Sequence, residues 1–268
     1  MLHLIDPLSN LVIEPIPRPF AERFNLLDHK ICGVHKKYHL DAVTSMGRYY
    51  LRNITVFSSG TMNDMVIMGF YDMAELVCFR SCDRMWTKPG DISISIFHDL
   101  ILYKGQFYTA DSTGRTCIVD PHTLNVTVVV NPIVSRGHTN YLTESSGDLF
   151  RVCVYLKRVW KRIGSIRQRC RPIPVRCRVY RWDLKGKEWL EVIDLGDSMF
   201  SLSREHSYSV SSLDFPGCEG NCILLNDYRN MNNGEGIPVY NMEDGTFTEL
   251  PVFQATYSYF GHPTPALN

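Results

Sequence analysis

Four times along the chain a short apolar run meets an acidic turn and gives way to a second apolar run. The copies are LHLIDPLSNLVIEPIP (Leu2 to Pro17), TCIVDPHTLNVTVVVNP (Thr116 to Pro132), RVYRWDLKGKEWLEVIDL (Arg178 to Leu195) and GIPVYNMEDGTFTELPV (Gly236 to Val252). Their turn acids, Asp6, Asp120, Asp183 and Glu243, are separated by 114, 63 and 60 residues, the first interval being twice 57. A period of about 60 residues follows, with one copy masked, and a period of that order is the mark of a repeat architecture. The masked copy falls at ELVCFRSCDRMWTKPGD (Glu75 to Asp91), out of strict register, where Asp83 and Trp86 resemble Asp183 and Trp189. Apolar runs of this length bounded by Asp, Asn, Gly and Pro read as strands joined by tight turns.

Each copy has an earlier half. FHDLILYKGQFYTADSTG (Phe97 to Gly114) turns at Lys104-Gly105 and again at Asp111 to Gly114; HTNYLTESSGDLFRVCVYL (His138 to Leu156) turns at Ser145 to Asp148; SYSVSSLDFPGCEGNCILLNDY (Ser207 to Tyr228) turns at Pro216 to Asn221. About four short strands per period make a propeller blade. Val126 to Val130 lacks the alternation of a sheet with one wet face, so both faces are expected to be covered, as when blades stack. Trp86, Trp182 and Trp189 are expected to fill the gaps between blades. The predicted fold is all-β: a β-propeller of four-stranded antiparallel blades, one domain over residues 1–268, incomplete at its N-terminus, where the chain enters within a hairpin. A closing strand from YSYFGHPTPALN at the C-terminus and one helix over Pro19 to Lys30 complete the expectation.

Lys+Arg and Asp+Glu number 28 each, so no global field draws the chain to nucleic acid or to an anionic membrane. Nine cysteines are an odd number, MLHLIDPLSN has no leader pattern, and no apolar run reaches the ~20 residues of a membrane helix. A soluble protein of a reducing compartment is expected, cytoplasmic or nuclear, with an organelle left open. The sequons at Asn53 and Asn125 are then chance matches.

YLTESSGDLFRV (Tyr141 to Val152), VYRWDLKGKEWLEVIDLGDSMF (Val179 to Phe200), SYSVSSLDFPGCEGNCILLNDY and VYNMEDGTFTEL (Val239 to Leu250) follow one another in an order that resembles the plant F-box proteins carrying the domain of unknown function 295, a kelch-like β-propeller. DLILYKGQFYTADSTGRTCIVD (Asp99 to Asp120) looks like the preceding blade, and the resemblance covers roughly residues 70 to 250. It implies a substrate-recognition subunit, in which an F-box docks on a Skp1-type adaptor of a cullin ubiquitin ligase while the propeller holds the target. No F-box pattern precedes Leu2, so adaptor docking is expected only if one lies upstream. The alternative is a stand-alone propeller scaffold or a truncated family member.

The sharpest local feature is KRVWKRIGSIRQRCRPIPVRCRVYR, Lys157 to Arg181, with ten of the 28 basic residues and no acid. It reads as an insert within one blade. Lys161, Arg162, Arg167, Arg169 and Arg171 are the candidate partner-binding residues, suited to an acidic segment of a target protein; a solvated hairpin, a phosphate or RNA site and an import signal are the competing readings. Nucleic acid is disfavoured because Trp160 alone offers a stacking face. Neither Cys78/Cys82 nor Cys218/Cys222 has zinc-knuckle spacing or a histidine close by, and Cys78 and Cys222 read as small apolar residues of strands. Cys170 and Cys177 lie among arginines that would favour a thiolate. Gly196-Asp197-Ser198 matches a hydrolase serine block, but no Asp-x-x-His accompanies it, so a turn is expected. The scattered histidines, densest at His29, His35 and His39, read as surface residues. No catalytic residue, metal or cofactor is predicted, and the chain is not expected to be an enzyme.

Overall fold

The computed structural model describes, with side chains, residues 53–58, 65–71, 75–80, 82–83, 87–90, 96–130, 139–158, 172–204, 207–214, 219–228 and 236–250, and as backbone alone 4–5, 12–13, 31–34, 37–44, 47–52, 85–86, 138, 160–163, 166–169 and 251. The expected helix at Pro19 to Lys30 and the closing strand at the C-terminus lie outside them. Among the described residues the regular structure is strand, broken by 3-10 turns at Ser212–Asp214 and Asn226–Tyr228. No helix there is long and apolar enough to cross a membrane. The chain divides into two compact units, Met1–Arg136 with Arg204–His206, and Gly137–Ser203 with Ser207–Asn268.

In the first unit β1 (Leu4–Ile5) and β2 (Val12–Ile13) form a hairpin. A six-stranded meander follows: β3 (Ile31–Val34), β4 (Lys37–Thr44), β5 (Gly47–Ser58), β6 (Met65–Tyr71), β7 (Glu75–Arg80) and β8 (Met85–Thr87). Its last hairpin is the masked copy, with Asp83 paired to Arg80 across the turn. Next comes a four-stranded blade of β9 (Phe97–Tyr103), β10 (Gln106–Asp111), β11 (Thr116–Val119) and β12 (Val126–Val130). One core joins the two sheets: Val66, Met68, Phe70 and Cys78 of the meander pack with Phe97, Leu100, Phe107 and Val119 of the blade. A polar pin crosses the same interface. Buried Asn53 donates from Nδ2 to Asp99 Oδ1 at 3.0 Å, and Asp99 Oδ1 also accepts from the Leu100 amide. Held there at 1% exposure, Asn53 is not presented as a glycosylation acceptor.

The second unit begins with a blade of β13 (His138–Ser145), β14 (Asp148–Lys157), β17 (Ile173–Asp183) and β18 (Glu188–Val192), antiparallel throughout. Between β14 and β17 stands a separate hairpin, β15 (Trp160–Ile163) with β16 (Ile166–Arg169). The last sheet departs from the four-stranded antiparallel expectation. It holds β19 (Ser198–Leu202), β20 (Tyr208–Ser211), β21 (Cys222–Leu225), β22 (Gly236–Asn241) and β23 (Phe247–Pro251) in the order 20-19-21-22-23. β19 lies between β20 and β21 and runs parallel to β21, so β20 and β21 are not partners in a hairpin, and the first part of the expected turn, at Pro216, lies outside the described residues. Tyr141, Val152, Val154 and Val179 pack against Phe200, Leu202, Ile223 and Tyr228 of this sheet. Two hydrogen bonds clip the pair together: Tyr141 Oη donates to Asp227 Oδ2 at 2.7 Å, and the Thr139 and Tyr228 hydroxyls meet at 3.1 Å.

Turn chemistry explains the blades. Lys104 and Gly105 both have positive φ (47° and 79°), as do Ser146 and Gly147 (51° and 82°). A pair of left-handed residues makes the two-residue hairpin whose twist matches the strands it joins, here Tyr103 to Gln106 and Ser145 to Asp148. The last two strands of three sheets are joined by one recurring turn. The side chains of Asp120 and Asp183 accept from the amide two residues on, His122 and Lys185, and the residue doing so in the last copy is Asn241, which accepts from Glu243 at 2.8 Å. The repeat position assigned to Glu243 therefore belongs to Asn241, because the turn needs an Asx oxygen rather than a negative charge. Four residues after each, Leu124, Lys187 and Gly245 are left-handed, at φ 58°, 52° and 69°.

Burial on both faces resides in the inner strands, such as β10 and the middle of β14, where successive residues are buried. Val126–Val130 is different: as the outer strand β12 it is half exposed, with Val128 at 48%. Its missing alternation reflects an edge position, not cover on two faces. Trp182 and Trp189 are cross-strand partners that pack on each other, ring centroids 5.0 Å apart, within one sheet. The buried Arg151 guanidinium lies over the Tyr180 and Trp189 rings at 4.9 and 5.0 Å.

Candidate partner-binding site

The basic run rises from the second and third strands of a rigid blade. β14 and β17 stay paired as far as Lys157 with Ile173, where the chain leaves to form the β15–β16 ribbon and returns. In the ribbon Trp160 opposes Arg169, Lys161 opposes Gln168, Arg162 opposes Arg167 and Ile163 opposes Ile166. Side chains alternate between faces along a strand. Trp160, Arg162, Arg167 and Arg169 therefore share one face, and Lys161, Ile163, Ile166 and Gln168 the other. Of the five candidate residues, three come to one face, Lys161 stands on the opposite face, and Arg171 lies outside the described residues. Two other arginines of the run have carboxylates beside them: Arg178 Nε lies 3.6 Å from Glu191 Oε1 and Arg181 Nη1 3.4 Å from Asp148 Oδ2.

Asp148 opens β14 and Lys157 closes it, so the other end of this blade is about 30 Å away at the usual rise of a strand. There the blade and β19 enclose a cleft of about 490 Å³ that the sequence reading did not find. Phe150, packed on the fully buried Phe200 with ring centroids 5.2 Å apart, forms its floor with Val192 and Leu195 beside it. Asp148, Glu191, Asp194 and Arg181 stand on its rim, and Ile193 projects at 81% exposure. The lining is drawn from three stretches of chain, Ser145 to Phe150, Arg181, and Glu191 to Phe200, none of which marks a cleft by itself.

Ser198 also lines the cleft. Its hydroxyl meets Ser145 Oγ at 3.2 Å, and Ser145 Oγ accepts from Ser209 Oγ at 2.9 Å. Hydroxyls do not take a serine proton at neutral pH, so these neighbours do not activate a nucleophile. Gly196 is left-handed at φ 58°, and the Ser198 amide donates to Leu195 O, the geometry of a turn entering β19.

Cys78, Cys153, Cys177 and Cys222 are buried, whereas Cys82 is exposed, its Sγ donating to Asp83 Oδ1 at 3.5 Å. Cys78 Sγ donates to Thr87 O, and Cys222 Sγ to Glu219 O. Burial pushes the Cys78 thiol above its ordinary range, and it does the same to Cys153 and more strongly to Cys177. Cys177 faces the core while its neighbours Arg176 and Arg178 take the other side of β17, so alternation cancels the activation expected from their nearness in sequence. Cys170, Cys218, His29 and His35 lie outside the described residues, and only the backbone of His39 is described. Among the described residues no group of three or more His, Cys, Asp or Glu could hold a metal ion.

Residues 1–241 match the model of the KIB1-4 beta-propeller family, a span that runs through both compact units. F-box protein At2g17036 of Arabidopsis thaliana is 31% identical over 229 residues, covering 81% of this chain and 56% of that protein. F-box protein SKIP23 of the same plant is 28% identical over 250 residues, covering 87% of this chain and 60% of that protein. F-box/kelch-repeat protein At1g64840, also from Arabidopsis thaliana, is 24% identical, covering 84% of this chain and 58% of its own length. The chain thus spans a little more than half of these relatives. With paired sheets, recurrent Asx turns and a family match over nine-tenths of its length, the chain belongs to the KIB1-4 beta-propeller family of plant F-box-associated propellers.

Proposed function

We propose that this chain is the target-binding part of a Skp1-cullin-F-box ubiquitin ligase, both compact units forming one non-catalytic propeller, and that the β15–β16 ribbon contacts an acidic segment of the target. The observation that carries the contact is the register of the ribbon. Arg162 and Arg167 are directly opposed, with Arg169 on the same face. Like charges facing each other destabilise a strand pair, and a two-stranded ribbon standing alone is marginal in water. An anionic segment laid along the arginine face reverses both effects, because each guanidinium can hold a carboxylate with two hydrogen bonds. Lys161 and Arg171 add charge without needing the same face. The names of the relatives support the ligase context, and a single propeller family matched across both units supports one propeller.

The test is proximity labelling in plant cells with the full transcript product, in intact form and with residues 158–172 replaced by Asn-Gly. The proposal expects a set of labelled proteins rich in acidic segments that is lost with the ribbon, and Skp1 among those retained. Recovery of targets without Skp1 would favour a stand-alone scaffold. An unchanged target set in the shortened protein would remove the ribbon from recognition.

A further inference from the structure

The same blade carries a second site of opposite character, and we propose that the cleft over Phe150 and Phe200 binds an extended segment of a partner protein that presents a large apolar side chain flanked by lysine or arginine. This rests on reading the propeller as a protein-binding module, but not on ligase recruitment or on the basic ribbon. The floor is apolar, with the half-buried Phe150 ring, backed by the fully buried Phe200, and with Val192 and Leu195, and about 490 Å³ is room for one aromatic or long aliphatic side chain with its backbone. Asp148, Glu191 and Asp194 set three carboxylates against the one guanidinium of Arg181 among the lining residues.

These carboxylates are only lightly committed. The Asp148–Arg181 and Glu191–Arg178 pairs are long, at 3.4 and 3.6 Å, with all four side chains between 37% and 51% exposed. Pairs of that kind contribute little to stability, so an incoming cation can take the carboxylates at small cost. Asp194 spends Oδ1 on the Gly196 amide at 2.8 Å and keeps its second oxygen for a partner. Ile193, at 81% exposure, offers an apolar side chain that nothing in its own unit covers. The serine hydroxyls at the cleft wall supply donors and acceptors to a peptide backbone. An acidic or purely polar occupant would be repelled by the rim or leave the Phe150 ring wet; a basic segment without an apolar anchor would gain only the screened rim contacts.

The experiment is fluorescence anisotropy of the full chain with a fluorescein-labelled octapeptide holding one Phe between two Lys, the rest Gly and Ser. Two controls replace both Lys by Glu, or Phe by Gly. The protein variants are Asp148→Lys/Glu191→Lys and, separately, Ile193→Ser, all three positions being exposed enough that the fold should survive, which a thermal melt checks. The expected result is saturable binding of the first peptide. Binding should weaken at least about tenfold with either control peptide and with the double variant, and about threefold with Ile193→Ser. Absence of saturable binding, equal binding by the double variant, or equal binding of the Gly control would each overturn the proposal. Sedimentation of the protein alone covers the other occupant. Self-association abolished by the double variant would place a second copy in the cleft and overturn the assignment to a separate partner.

Discussion

Leu124, Lys187 and Gly245 take the same left-handed position in three equivalent turns, and only the last is suited to it. A side chain there costs about 1–2 kcal/mol. Leu124 offsets the cost by joining the core, where burial of a leucine contributes about 1.5–3 kcal/mol. Lys187 is exposed and gains nothing comparable. Lys187→Gly should therefore raise the unfolding free energy by about 1 kcal/mol, and Gly245→Ala should lower it by a similar amount, since its added Cβ would meet only Tyr240 Oη at an ordinary 3.4 Å. Urea unfolding followed by tryptophan fluorescence measures both. Tyr141 carries a different liability. Burial, then the nearby charge of Asp227, hold its phenol protonated well above the ordinary tyrosine range. The folded value lies above the unfolded one, about 10, so this contribution is intact below pH 10 and is lost as pH rises further. Between pH 9 and about 11.5 the urea midpoint of the wild type should fall more steeply than that of Tyr141→Phe.

At the scale of elements, the ribbon is an addition to a blade already complete without it. Lys157 and Ile173 face each other in register, so two residues suffice to join them. Replacing 158–172 by Asn-Gly should leave the unfolding free energy within about 1 kcal/mol of the parent and the far-ultraviolet dichroism of strand intact. Loss of folding would mean that the insert supports the blade. The interface between the meander and the β9–β12 blade is less forgiving. Asn53 sits at a register shift between Arg52 and Thr55, left-handed at φ 51°, and donates to buried Asp99. Asn53→Ala strips a donor from that carboxylate and keeps the backbone cost, so a loss of about 2–4 kcal/mol is expected in the same urea assay. The sequence made some of this legible and not the rest, for physical reasons. Lys104-Gly105 and Ser146-Gly147 were readable because few residue pairs accept two positive φ values. Asn241 is not legible beside Glu243, because a repeat of acids marks only the carboxylate whereas the turn uses an amide oxygen equally well. The parallel β19–β21 pair was unreadable: Cys222–Leu225 is the same apolar run whichever strand lies next to it. Contiguous arginines announced one candidate site, while the cleft, assembled from dispersed residues, announced nothing.

For the molecule as a whole, 28 basic and 28 acidic residues cancel, but Lys157 to Arg181 contributes ten positive charges and the remainder a formal −10. Removing 158–172 takes away six basic residues and no acid, shifting the net charge from +0 to −6. At pH 7 and low salt the intact chain should be held by a cation exchanger through its local patch, and the shortened chain should pass straight through; equal retention would show that the patch is neutralised within the molecule. The two ends of β14 also set a fixed spacing. A target with an acidic stretch and a basic-apolar stretch about 30 Å apart could be gripped at both. The second contact would then form at the high effective concentration of a tethered ligand, so two weak holds could give one long-lived grip, and a target with the wrong interval would slip away.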